Sequence, residues 1–142
     1  MSQENVEVIR RSYEALNQGG LEGALAAADE VADPEFEWRA TGRLPDVPPV
    51  RGREAAKDLF RQLTAVFDWH IEVEEAIDAG DTAVMVVRQV AKGKTSGAET
   101  ANRQVHVWGF RDGKVAYFET YLTKGRALEA VGLSDQDAHA DS

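Results

Sequence analysis

Apolar positions recur along the first thirty residues with helical spacing. Val6, Ile9, Tyr13 and Leu16 stand three or four residues apart and share one helix face. Gly19-Gly20 interrupts the stripe. Leu21, Leu25 and Ala28 resume it until Asp33-Pro34. The pattern predicts a helical hairpin. It then changes to period two: Phe36, Trp38 and Ala40 alternate with Glu35, Glu37 and Arg39, as in a strand with one wet face. The stretch from Thr41 to Val50 holds three of the four prolines and reads as a surface loop. Ala56, Leu59, Phe60, Leu63 and Val66 restore helical spacing.

From Trp69 to Thr123 the chain reads as strand. Ile71, Val73 and Ile77 lead into a turn at Asp78–Asp81. Thr82–Lys92 is apolar on both faces, which predicts a strand covered from both sides. Gly93–Gly97 is a turn, a fourth strand runs to about Phe110, and Asp112-Gly113 is a strong hairpin signal before a fifth strand, Val115–Thr123. Arg126–Val131 forms one or two helical turns stopped by Gly132, and Ser134–Ser142 is a polar, acidic, frayed tail. Helices first and hairpin-linked strands afterwards define an α+β fold with an antiparallel sheet.

Composition narrows the function. A chain of 142 residues is one domain of ordinary size. It has no cysteine, which excludes a thiol nucleophile, a thiolate metal site and disulfides. Its net charge of −9 argues against nucleic acid and anionic membranes as partners. The polar, acidic N-terminus carries no signal-peptide pattern and no apolar run has the length of a membrane span, so a cytoplasmic location is expected.

Motifs for familiar chemistries fail. Gly93-Lys94-Thr95 lacks the upstream glycine of a phosphate-binding loop, where Arg88 stands instead. His70, His106 and His139 are scattered, without metal-ligand spacing, so neither metal nor cofactor is expected. The informative region is the last hairpin. His106, Trp108 and Phe110 share one face, and Val105 and Val107 share the other. Apolar bulk on both faces predicts a homodimer through the outer face, around Val105, Val107 and part of Ala83–Val87. Arg88 has the parity of Val84, Val86 and Val90, and its guanidinium could meet either a ligand oxygen or a surface carboxylate.

Residues 1–133 resemble the SnoaL-like branch of the nuclear transport factor 2-like superfamily. The resemblance is carried by Tyr13-Glu14-Ala15-Leu16-Asn17-Gln18-Gly19, Phe36-Glu37-Trp38 and Arg51-Gly52-Arg53-Glu54. It continues through His106-Val107-Trp108, Arg111-Asp112-Gly113-Lys114-Val115 and Ala127-Leu128-Glu129-Ala130-Val131-Gly132. It implies a cone-shaped, curved antiparallel sheet packed against three helices around a deep cavity, usually as a homodimer. Ketosteroid isomerases, an epoxide hydrolase and polyketide cyclases share this fold with members that have no chemistry, so fold does not fix function. By the same resemblance, His106 takes the place of a catalytic or oxyanion-hole residue. The cyclases' catalytic aspartate corresponds to Thr120, Ser12 stands where the isomerases carry their tyrosine, and Arg39, Ala40 and Thr41 stand where they carry their base. Both catalytic sets are therefore incomplete. The candidate site is His106 and Tyr13 as reacting groups, with Trp38, Phe60, Arg88, Trp108, Phe118 and Thr120 lining a ligand cavity. Two functions follow: an isomerase, cyclase or hydrolase acting on a carbonyl or epoxide, or a non-catalytic dimeric module binding a small, largely apolar molecule.

Overall fold

The computed structural model describes residues 2–39 and 48–133. Ala40, most of the proline-containing stretch and the acidic tail assigned to Ser134–Ser142 lie outside the described residues. Element order is α1 (Ser2–Val31), β1 (Ala32–Arg39), β2 (Val50–Arg51), α2 (Arg53–Val66), β3 (Phe67–Asp78), β4 (Thr82–Gly93), β5 (Glu99–Arg111), β6 (Lys114–Tyr121) and α3 (Lys124–Ala130).

The helical hairpin forms as its glycines require. Gly20 takes φ 60° and ψ −143°, outside helical space, and breaks α1 into two arms. The chain folds back so closely that a Cβ on Gly23 would lie 2.1 Å from the carbonyl oxygen of Ala15. An unbroken helix would separate those two positions by about 12 Å.

The six strands form one curved, open sheet in the order β2-β1-β6-β5-β4-β3. β3, β4, β5 and β6 pair antiparallel in sequence, the last two through a turn with Asp112 at φ 54° and Gly113 at φ 80°. Positive φ at both central residues is the backbone of a type I′ turn. One expectation is corrected: β1 lies parallel to β6, with Trp38 opposite Phe118, so the sheet is mixed. The antiparallel expectation followed from short links between consecutive strands. β1 and β6 are joined through α2 and all the other strands, and a connection that long permits either direction. The two-residue β2 adds a sixth strand that no sequence pattern marked.

The core is in two layers. On the concave face Ala83, Met85 and Val87 of β4 and Phe118 of β6 meet Val6, Ile9 and Tyr13 of α1 and Ala56 of α2. On the convex face Val84, Val105 and Val107 meet Ala127 and Leu128 of α3, and Val84, Val107, Ala127 and Leu128 are fully buried. β4 is thus covered twice, as its apolar pattern demanded. The outer cover at Val105 and Val107 is supplied by the chain's own α3, so these two valines do not require a second subunit to bury them.

Bulges bend the long strands. Between Gly109 and Phe110 the register with β6 shifts, and the Tyr117 ring lies directly on Gly109. Asn17 ties α1 to edge strand β3: its Nδ2 donates to the Ile71 carbonyl at 2.8 Å and its Oδ1 accepts from the Ile71 N–H at 2.9 Å. The side-chain amide thereby replaces a missing strand neighbour.

Candidate functional site

A cavity of about 270 Å³ lies between the concave face and the helices. Both arms of α1 wall it, the first through Ile9, Tyr13 and Leu16, the second through Ala24, Leu25 and Ala28. Phe60 and Leu63 of α2 close it from above, and Trp38, Trp108 and Phe118 form the sheet side. These aromatic rings pack on one another: Trp38 meets Phe118 edge-on at 5.3 Å between centroids, and Phe118 meets Trp108 at 4.3 Å. The small alanines of the second arm leave the space that the aromatic rings do not fill.

The floor carries one polar chain. Strand alternation puts Gln104, His106 and Trp108 of β5 on the cavity side. Trp108 Nε1 donates to the Tyr13 hydroxyl at 2.8 Å, that hydroxyl lies 2.8 Å from His106 Nδ1, and His106 Nε2 lies 3.2 Å from Gln104 Oε1. An indole N–H only donates, so the Tyr13 oxygen accepts there and its own proton goes to His106 Nδ1. The imidazole hydrogen then sits on Nε2 and points at the Gln104 carbonyl. This direction, Trp108 to Tyr13 to His106 to Gln104, places the polar hydrogens of Trp108, Tyr13 and His106 and leaves the Gln104 amide hydrogens unused.

Burial sets the protonation states. His106 is only 4% exposed, and desolvation pulls its pKa down to about 3, so the ring is neutral at pH 7. Burial also pushes the Tyr13 phenol well above its ordinary value, against the smaller opposing effect of the Trp108 hydrogen bond. Neither group ionises near neutrality. Among the described residues no Asp or Glu lines the cavity. Of its two cations, Lys57 Nζ is paired with Asp29 at 2.6 Å, and Arg53 donates from Nη1 to the Ala32 carbonyl at 3.2 Å while its buried Nε has no hydrogen-bond partner among the described residues.

The sequence-derived residues Tyr13, Trp38, Phe60, His106, Trp108, Phe118 and Thr120 all line this cavity. Arg88 does not join them. It lies on the convex face, exposed, 3.8 Å from Glu72. Its parity with Val84 and Val86 was read correctly, but both faces of β4 are apolar, and those valines belong to the outer layer. Arg39, aligned with the isomerases' base, also points outward. It pairs with Glu119 at 2.9 Å and stacks 4.0 Å from the Tyr117 ring centroid. Gln89, Gln104 and Trp69 were missed. Gln104 is two residues before His106, and Gln89 has the parity of Ala83, Met85 and Val87, so alternation alone could have found both. Among the described residues no three His, Asp or Glu side chains gather as a metal site, and no helix is long and apolar enough to cross a membrane.

A helix-walled cavity on a curved α+β sheet defines the class of small cone-fold domains. Within that class the chain belongs to the SnoaL-like domain family, whose model matches residues 9–118. No match was found among curated proteins. Solved structures agree in fold. A protein called a SnoaL-like polyketide cyclase, from Jannaschia sp. CCS1, is 21% identical with a TM-score of 0.73, over 92% of each chain. An NTF2-like protein from Burkholderia pseudomallei K96243 is 20% identical with a TM-score of 0.68, over 90% of this chain and 97% of its own. TerC, co-crystallised with polyporic acid, is 22% identical with a TM-score of 0.67, over 89% of this chain and 97% of its own. At these identities the likeness is one of fold.

Proposed function

We propose that this chain binds a compact, largely apolar small molecule in its cavity, without acid–base chemistry of its own. The observation that carries this reading is the cavity itself: aromatic and aliphatic walls, no lining carboxylate among the described residues, and a volume of about 270 Å³. An apolar cavity of about 150 Å³ accommodates benzene, so a molecule of two fused rings is the matching size. The co-crystallisation of TerC with polyporic acid supports an organic ligand for the fold.

The buried Tyr13–His106 hydrogen bond favours a second reading, an isomerase, cyclase or hydrolase that uses these two residues on a carbonyl or epoxide. It is the weaker reading. The His106 lone pair on Nδ1 is occupied by Tyr13, and a base with a pKa of about 3 takes few protons at pH 7. A homodimer also remains our proposal, now through convex-face residues other than Val105 and Val107.

Calorimetric titration with tetralin, a two-ring hydrocarbon, tests the binding reading. We expect one saturable site with a negative heat-capacity change, lost when Ala28→Trp fills the cavity from the second arm. Absence of saturable binding, or binding untouched by Ala28→Trp, would refute it.

A further inference from the structure

Two amide side chains stand out on the cavity wall. Gln89 of β4 lines the cavity, and its side-chain amide makes no hydrogen bond among the described residues. Gln104 of β5 lines it too, and its one bond, through Oε1, goes to His106. Val87 pairs with Gln104 and Gln89 with Asn102, so the two glutamines are diagonal neighbours on the same face. Diagonal neighbours lie about 7–8 Å apart at Cα, within reach of a shared third group. They stand in a lining that is mostly apolar, where an unused amide carries a desolvation cost.

The geometry points to Gln104 and Gln89 as the specificity-determining pair of this cavity, recognising a neutral ligand that carries a carbonyl or similar hydrogen-bond-accepting oxygen on its apolar frame. The inference rests on the binding reading above and adds the chemical class of the ligand. The polar chain from Trp108 decides which face of Gln104 is presented. His106 Nε2–H occupies the amide oxygen, so the amide N–H2 is left to donate. Gln89 supplies a second amide, free to donate to the same oxygen or to accept from a neighbouring hydroxyl. Both amides are neutral and Lys57 is paired with Asp29, so the glutamine pair itself selects a neutral oxygen; the competing case is an anion held by Arg53, whose Nη1 donates to the Ala32 carbonyl but whose buried Nε has no hydrogen-bond partner among the described residues. In this account Tyr13 and His106 are positioning residues: they fix the orientation of Gln104 and do not meet the ligand's reacting atoms.

The test compares α-tetralone with tetralin, which share a two-ring frame and differ in the ketone. Binding to the full chain is followed by the fluorescence of Trp38, Trp69 and Trp108, all of which line the cavity. The readout is the ratio of the two dissociation constants, tetralone over tetralin. Gln104→Leu should raise that ratio about threefold to tenfold, the worth of one neutral hydrogen bond. Gln89→Leu should raise it in the same direction, and because Gln89 has no partner to lose, this variant keeps the test alive if Gln104→Leu folds poorly. A positioning role for His106 has its own signature: nitrogen NMR of the wild-type ring should show the Nε2–H tautomer. Ratios unchanged in both glutamine variants would overturn the inference while leaving the cavity reading intact. So would tighter binding of 1-naphthoate than of tetralone. Failure of both two-ring probes to bind would remove the cavity reading and this inference with it.

Discussion

The polar chain on the cavity floor predicts a specific failure of additivity. Consider Tyr13→Phe and His106→Leu, made singly and together. His106→Leu removes the nitrogen that accepts the Tyr13 proton and leaves a buried O–H without an acceptor. A stranded buried donor costs about 1–3 kcal/mol. Tyr13→Phe strands two groups, the Trp108 N–H and His106 Nδ1. Trp108 is half-buried and borders the cavity, where water can reach it, so the total should be about 2–4 kcal/mol. In the double variant neither member of the Tyr13–His106 bond remains, and that loss is counted once. Its cost should therefore fall short of the sum of the single costs by about 1–2 kcal/mol. Urea unfolding followed by far-ultraviolet circular dichroism gives the three values, provided the slope with denaturant is unchanged. Additivity to within about 0.5 kcal/mol, or a neutral His106→Leu, would refute the hydrogen-bonded chain described here.

The remaining predictions are simpler. His106 has its pKa lowered from 6.5 to about 3, so below about pH 6.5 the unfolded chain binds a proton that the native chain refuses. Its contribution is therefore intact above pH 6.5 and lost by about 1.4 kcal/mol per unit as pH falls toward 3; the stability gap between wild type and His106→Leu should shrink to near zero by about pH 5, and a gap that does not vary with pH would contradict the assignment. Gly23→Val should separate the two arms of α1, because the added Cβ meets a backbone carbonyl; we expect a loss of about 3 kcal/mol or more, read by thermal unfolding. Gly109→Ala should cost about 1–3 kcal/mol, since its Cβ would overlap the Tyr117 ring, and Tyr117→Ala in the same chain should relieve most of it. Asn17→Ala should cost about 1–3 kcal/mol and speed hydrogen exchange at the Ile71 amide selectively.

What the sequence disclosed, and what it did not, follows from which interactions are local. The break at Gly20, the turn at Asp112-Gly113 and the alternation along β5 are dictated by neighbouring residues, and each was legible. The parallel pairing of β1 with β6 is a contact across about eighty residues, and nothing local encodes its direction. Arg88 was misplaced for a related reason. Alternation tells which residues share a face, and a strand apolar on both sides gives no sign of which face is concave. The same ambiguity made Val105 and Val107 look like dimer residues; their partner proved to be α3, whose few residues carry little periodic signal. His106 was singled out by resemblance and Tyr13 by its place on the apolar stripe of the first helix, but their chemistry depends on burial and on Trp108 and Gln104, which only the packed structure supplies. The family resemblance carried the fold. It did not carry a mechanism, because Thr120 and Arg39 stand where its catalytic carboxylates would be.

Intermolecular NMR contacts between bound α-tetralone and the chain test the central claim most directly. The account predicts nuclear Overhauser effects from ligand protons to Tyr13, Ala28, Phe60 and Phe118, all on the cavity wall, and none to Val105, Val107 or Leu128, which are buried where α3 packs on the opposite face of the sheet. Contacts confined to exposed apolar side chains such as Val66 and Leu122 would contradict it, as would a ligand that shows no contacts at saturating concentration.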